Sequence, residues 1–216
     1  MQNIITFRSN PEIAGFASIV GKKESDGPLS DCFDIIKEDT SFGLDSWEKA
    51  ESLLQQNAVQ MALNKAGLNE SDLELIFAGD LLDQCTGSGY AMRDINIPFA
   101  GLYGACSTMA LSSILAAMSV DAEYVSRACA VTSSHFCSAE RQFRKPLEYG
   151  GQRTPTSQWT VTGAGSLIFE KNKCRNLPVA QKAMFGKVRD LGVTDENNMG
   201  AAMAPEDVTL TPYPKS

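Results

Sequence analysis

The sequence predicts an α/β layered domain with a mostly parallel sheet, and three observations carry that prediction. Short apolar runs of strand length alternate with helical stretches from residue 45 to residue 132. The runs Leu73–Ala78 and Pro98–Tyr103 are mostly apolar, as buried strands are, and Ser126–Thr132 gives the next strand. They stop at Gly79-Asp80, at Gly104 and at Ser133-Ser134-His135, the strand ends beyond which open α/β sheets place their ligand contacts.

The whole chain bounds what such a domain does. Its 216 residues suffice for one large domain or one and a half small ones, and 43% apolar and 21% charged residues are ordinary for a soluble globular protein. A net charge of -7 argues against nucleic acid as a partner. The six Cys include no C-x-x-C pair and most lie in apolar runs, which reads as reduced thiols and not as a disulfide frame or a metal site. No apolar run reaches 18 residues and no basic flank precedes an apolar N-terminal core, so neither a membrane span nor a signal peptide is expected.

In chain order, Ile4–Arg8 and Ile13–Val20 read as strands joined at Asn10-Pro11, and 31–38 as a weak helical piece. Asp45 and Ser46 are capping residues. Behind them Trp47, Ala50, Leu53, Leu54, Ala58, Met61, Ala62 and Ala66 recur at helical spacing until Gly67 ends the helix. Thr86–Ile95 reads as a short helix weakened by Gly87 and Gly89. Phe136–Thr156 reads as a long polar loop, of the kind that is more often functional than accidental. Trp159–Glu170 returns to a strand, Lys171–Pro178 to a linker and Ala183–Leu191 to a further strand.

The chain is organised around the turn Gly101-Leu-Tyr-Gly-Ala-Cys106-Ser-Thr, which leads into an apolar helical run from Ala105 to Met118. A cysteine at a helix N-terminus meets unpaired N–H groups and the helix dipole, which favour a thiolate. The alternative is a packed thiol at a tight turn, because cysteine is among the residues most often buried. Cys85, Cys129 and Cys137 carry only that second reading.

Gly-Ala-Cys106-Ser-Thr on a strand–helix turn, followed by Val161-Thr-Gly-Ala-Gly-Ser166, resembles the thiolase fold of condensing enzymes. More specific blocks are Phe77–Leu82, Gly101–Met109, Thr132–His135, Ala139–Arg144, Glu148–Arg153, Trp159–Gly165, Gly186–Gly192 and Asn198–Pro205. Together they resemble the stage V sporulation protein AD family of endospore-forming bacteria. The resemblance implies a thiolase-like, layered α/β/α fold with a mixed sheet and two similar halves. Residues 1–175 would be the N-terminal half and 176–216 an incomplete start of the second, so that the second half is largely truncated. It further implies a peripheral protein of the spore inner membrane that binds dipicolinic acid, free or as its calcium chelate. In that role it supports uptake into the developing spore and release in germination, alongside other proteins of a sporulation membrane complex. No cofactor or metal is implied. A truncated second half would expose an apolar surface, for which homodimerisation or aggregation is the expected outcome.

The candidate site gathers Cys106, as nucleophile in condensing enzymes or as pocket floor in the sporulation family, with Asp80 and His135 at strand ends. Asp80 reads equally as a turn cap, and a lone histidine as a structural one. Arg141, Arg144 and Arg153 concentrate positive charge in an acidic chain and present forked donors suited to a small dicarboxylate, with Gln152 able to donate and accept. The alternative for this loop is surface pairing with Glu140 and Glu148. Two function classes follow. One is acyl transfer by a ketoacyl-synthase-like condensing enzyme, with Cys106 acylated and His135 the one imidazole in the chain. The other is non-catalytic ligand binding, which a single histidine favours because the family of condensing enzymes adds His/His or His/Asn partners from its second half.

Overall fold

Alternation along the central strands sorts the core into two faces, and that sorting positions everything else. Ile76 and Ala78, Cys129 and Val131, and Ala164 and Ile168 belong to one buried cluster, whereas Phe77, Ala128, Ala130 and Phe169 belong to another. Successive strand residues point to opposite sides, so the two clusters lie on the two faces of one sheet. The computed structural model describes residues 4–143, 160–186 and Gly192.

In order the elements are β1 (Ile5–Thr6), β2 (Glu12–Gly21), α1 (Lys22–Ser25), β3 (Ile35–Lys37), α2 (Trp47–Ala66), β4 (Leu75–Gly79), α3 (Thr86–Arg93), β5 (Phe99–Leu102), α4 (Thr108–Asp121), β6 (Arg127–Ser134), α5 (Phe136–Phe143), β7 (Gly163–Glu170) and β8 (Lys182–Ala183). Six strands form one sheet in the order β3-β2-β7-β6-β4-β5. The pairings β2–β3, β4–β5 and β4–β6 are parallel, and β7 runs antiparallel to both β2 and β6. The sheet is therefore mixed, as the family resemblance implies, and less parallel than the alternation of elements alone suggests. Helices α2 and α3 cover one face and α4 the other, which gives the α/β/α layering.

Local chemistry explains the boundaries. Ser46 caps α2 by accepting from the Lys49 N–H at 3.2 Å, and Gly67 ends it at φ +68°. Ala50, Leu54, Ala58 and Ala62 form its fully buried stripe. The helix lies so close to β2 that a Cβ on Gly15 would sit 2.3 Å from the Ala62 carbonyl oxygen. Residues 31–38 are not helical beyond a 3-10 turn at Ser30–Cys32, because Ile35 and Ile36 pair beside Ile19 and Val20 as β3. The start of the expected long loop is helical, as α5, and β7 begins at Gly163, with the described residues 160–162 outside it. The expected strand Ala183–Leu191 meets β8 (Lys182–Ala183) only at Ala183, residues 184–186 are not strand, and 187–191 lie outside the described residues, as do 197–204, which the sequence reads as the start of a helical piece.

The segment after β7 folds back along the first strands. Ile13 N–H donates to Pro178 O at 2.8 Å, Ala180 N–H to Pro11 O at 2.8 Å and Phe7 N–H to Gln181 O at 3.0 Å. Arg175 anchors it by pairing with the buried Glu12 at 2.7 Å and with the buried Glu170. No helix of the described residues is long and apolar enough to cross a membrane.

Candidate functional site: a cleft at the strand ends beside Cys106

Strands β4, β5 and β6 all run toward one end of the sheet, and the turns that leave them meet there. Gly79 closes β4 where β5 and α4 press in: a Cβ at this position would lie 2.3 Å from Leu102 O and 2.4 Å from Thr108 Cγ2. The chain then enters the turn that carries Asp80.

Cys106 sits on a 3-10 turn, Ala105–Ser107, immediately before α4. Hydroxyls tie this turn: Ser107 Oγ donates to Gly104 O at 2.7 Å, and Thr108 Oγ1 donates to Ala105 O at 2.7 Å and accepts from Gly104 N–H at 3.2 Å. Ala105 is held at φ +46°, a left-handed conformation that costs an alanine energy and projects the next side chain outward. Cys106 is exposed, in contrast to the buried Cys85 and Cys129. It borders a cleft of about 660 Å³ formed on the α4 face of the sheet, a volume within the usual range for small-molecule sites. Ser18 and Val20 of β2, Thr132 and Ser134 of β6, and Gly163 and Gly165 of β7 form one wall. Asp80, Cys106, Thr108, Met109 and Val161 form the others.

Asp80 is 1% exposed and fully engaged. Its Oδ1 accepts from Leu82 N–H at 2.8 Å, and its Oδ2 accepts from Ser88 N–H and Ser88 Oγ–H, both at 2.6 Å. It is thus both cleft wall and turn organiser, and the turn-cap reading of this residue describes its contacts.

His135 is elsewhere. Pairing of β6 with β7 continues through Ser134, so alternation carries Ser134 to the cleft and His135 to the opposite face. There its ring stacks on Trp47 at 5.2 Å between centroids. Nε2 lies 3.0 Å from Thr40 O, and Nδ1 accepts from Cys137 N–H at 3.1 Å, which fixes the Nε2–H tautomer. Burial holds its pKa below the ordinary histidine value. The expectation that His135 approaches Cys106 is therefore corrected: the structure brings Asp80 and Cys106 to one cleft and leaves His135 behind the sheet. Arg144, Gln152 and Arg153 lie outside the described residues, as does the side chain of Arg141. Among the described residues no cluster of His, Cys, Asp and Glu is arranged to hold a metal ion.

Sequence reasoning missed the polar network behind Asp80. Glu51 and Gln55 of α2 are both 0% exposed. Glu51 accepts from Ser133 Oγ at 3.0 Å and from Ser138 Oγ at 2.9 Å. Burial, then the charge of Asp80, pushes its pKa up to about 7. Gln55 Nε2 reaches Gly79 O, Ser88 Oγ and Ser133 Oγ at 3.0, 2.9 and 3.0 Å. The signal was present: Glu51 and Gln55, four apart, stand inside the apolar stripe of an amphipathic helix, where a polar side chain requires a buried partner.

Comparison with known proteins agrees with this architecture. The family described as Stage V sporulation protein AD (SpoVAD) matches residues 1–211. The Stage V sporulation protein AD of Bacillus subtilis (strain 168) is 44% identical over 185 residues, which are 86% of this chain and 54% of that protein. The chain thus spans about half the length of the curated relative it matches. Among solved structures, 3-oxoacyl-[acyl-carrier-protein] synthase III from Aquifex aeolicus VF5 superposes with a TM-score of 0.52 at 13% identity, over 76% of this chain and 54% of that one. The corresponding synthase from Xanthomonas oryzae pv. oryzae gives 0.52 at 14%, over 77% and 57%. At such identities the likeness is one of fold, the thiolase fold.

Proposed function

The chain belongs to the stage V sporulation protein AD family, and from that premise we propose that it binds dipicolinic acid, free or as its calcium chelate, in the cleft beside Cys106. In this reading it serves dipicolinate uptake into the developing spore and release in germination. It acts peripherally at the spore inner membrane with other proteins of a sporulation membrane complex, and performs no acyl chemistry.

The observation that carries the reading is a small-molecule cleft built around an exposed cysteine that has no imidazole beside it. Val20, Phe33, Met109 and Val161 offer apolar surface to a flat ring, and the Thr132 and Ser134 hydroxyls offer polar contacts at its edge. The one histidine of the chain is committed to Thr40 and Cys137 behind the sheet, so no imidazole of this chain stands beside Cys106 to serve as the base in acyl transfer. Arg141, Arg144 and Arg153 are the proposed sources of forked donors for the two carboxylates, with Gln152 beside them.

Titration calorimetry with dipicolinate, with and without calcium, tests the proposal. It is run on this chain and on a form extended to the length of the Bacillus relative. Arg153→Ala is expected to weaken binding by the ~1.5–3 kcal/mol of a charge-assisted hydrogen bond. Absence of binding together with acylation of Cys106 by acyl-CoA and turnover would replace this reading with the condensing-enzyme one.

A further inference from the structure

Behind the cleft two buried carboxyl groups approach one another with no cation between them among the described residues. A Cβ placed on Gly87 would lie 3.3 Å from Glu51 Cδ and 3.4 Å from Asp80 Cγ, so both carboxyls abut the same point of α3. Glu51 is 0% and Asp80 1% exposed. Two like charges this close and this dry are not both tolerated, and such pairs ordinarily retain a proton.

Hydrogen-bond arithmetic says where that proton belongs. Asp80 receives three donors, Leu82 N–H, Ser88 N–H and Ser88 Oγ–H, an environment fitted to a carboxylate. Around Glu51, acceptors outnumber donors. Ser138 Oγ lies 2.9 Å from Glu51 Oε2 and 3.1 Å from His135 O, yet a hydroxyl has one hydrogen to give. Gln55 Nε2 has two hydrogens for three acceptors, and Gln55 Oε1 is buried with no hydrogen-bond partner. A proton on Glu51 Oε2 lets both contacts of Ser138 form at once, because Glu51 then donates to Ser138 Oγ and Ser138 donates onward to His135 O, which also accepts from Ala139 N–H at 3.0 Å.

We infer that Glu51 and Asp80 share a single proton as a unit, carried by Glu51, and that the cleft accepts an anionic ligand only in this protonated form. The second part rests on the dicarboxylate reading above. The link is physical: Ser133 and Asp80 both line the cleft, and Gln55 bridges Ser133 to Ser88, which holds Asp80. Ionising Glu51 sets a second negative charge against that wall and withdraws the donor that completes the network. The elements packed around Glu51 carry few other titratable groups among the described residues. Glu48 lies one turn before it on α2, Cys85 at the foot of α3, and His135, Cys137 and Glu140 at the β6–α5 corner. The charge that raises Glu51 is that of Asp80. This raised value lies about where a cell's pH varies, so Glu51 changes charge under working conditions.

The sign follows from linkage. Glu51 titrates near 4.5 when unfolded and about 7 when folded, so the folded chain holds an extra proton between these values. Stability therefore falls as pH rises across that window and levels off above it. The test uses the whole chain, denaturant unfolding from pH 5 to 8 and dipicolinate titration from pH 6 to 8, on wild type and Glu51→Gln. Without ligand, the wild-type unfolding constant rises roughly seventy-fold between pH 5 and 8 relative to that of Glu51→Gln. With ligand, wild-type affinity falls about tenfold from pH 6 to 8, and that of Glu51→Gln stays level. Asp80→Asn serves as the second variant if Glu51→Gln does not fold: it removes the repulsion and moves the stability step to lower pH. Superimposable stability profiles for wild type and Glu51→Gln, an unmoved step in Asp80→Asn, or wild-type affinity level across pH 6–8 each overturn the inference. Separated stability profiles with no binding by either protein at any pH would support the shared proton and defeat the dicarboxylate reading instead.

Discussion

Two neighbouring turns show how one sequence signal leads to opposite placements of a thiol. The β4–α3 turn and the β5–α4 turn leave adjacent parallel strands, and each carries a cysteine beside left-handed non-glycine backbone. In the first, Gln84 and Cys85 stand at φ +59° and +53°; in the second, Ala105 stands at φ +46°. Cys85 is turned inward, 8% exposed, with Sγ 3.1 Å from Leu102 O. Burial and then the charge of Asp80 push its thiol pKa up. Cys106 is turned outward, onto the cleft. A strained strand–helix turn thus does not by itself make a reactive thiol; depth and the nearest carboxylate decide.

The largest effect that would break this comparison is expected at Gly79, which holds both turns in register. Gly79→Ala drives a methyl group into Leu102 O and Thr108 and should cost about 3 kcal/mol or more, measured by denaturant unfolding. Next is Ser88→Ala, which leaves the Asp80 carboxylate one donor short while keeping the backbone one. A loss of about 1.5–3 kcal/mol is expected, and a loss below about 0.5 kcal/mol would show that Asp80 does not depend on that hydroxyl. The two thiols are then compared directly: near pH 7, iodoacetamide should modify Cys106 at least about tenfold faster than Cys85. Peptide mapping that finds Cys85 first would reverse the contrast. The smallest effect is expected where the turns touch, at the Tyr103 hydroxyl that donates to Asp83 Oδ1 at 2.8 Å. Tyr103 is 52% exposed, so Tyr103→Phe should change stability by only about 0.5 kcal/mol.

What the sequence made legible was local. Helix α2 announced itself through Ser46, its apolar spacing and Gly67, and Asp80 and Cys106 through the glycines before them. What it concealed depends on partners far away in the chain. Read alone, β6 stops at Thr132, which leaves His135 in a loop free to turn toward Cys106. Pairing with β7 extends the strand to Ser134, and the parity of a pleated strand then assigns His135 to the other face. The strand β3 was likewise hidden, because Ile35 and Ile36 become a strand only when β2 lies beside them. Glu51 and Gln55 were visible as breaks in an apolar stripe, yet their serine partners come from α3, β6 and α5, and no spacing rule brings those together.

The position of β7 has a consequence for how such a chain is made. Among the described residues only β8 follows it, yet it lies in the middle of the sheet, between β2 and β6. A nascent chain that has not reached Gly163 holds two sets of strands, β2–β3 and β4–β5–β6, with nothing to join them. Glu12 must wait for Glu170 to emerge before their register can form, roughly ten to thirty seconds at ordinary rates of translation. The inner edge of β2 is unpaired through that interval, and that of β6 from its own synthesis onward, the state in which strands find wrong partners. Final assembly is therefore a late, concerted event, and the ribosome, not the pocket, sets when it begins.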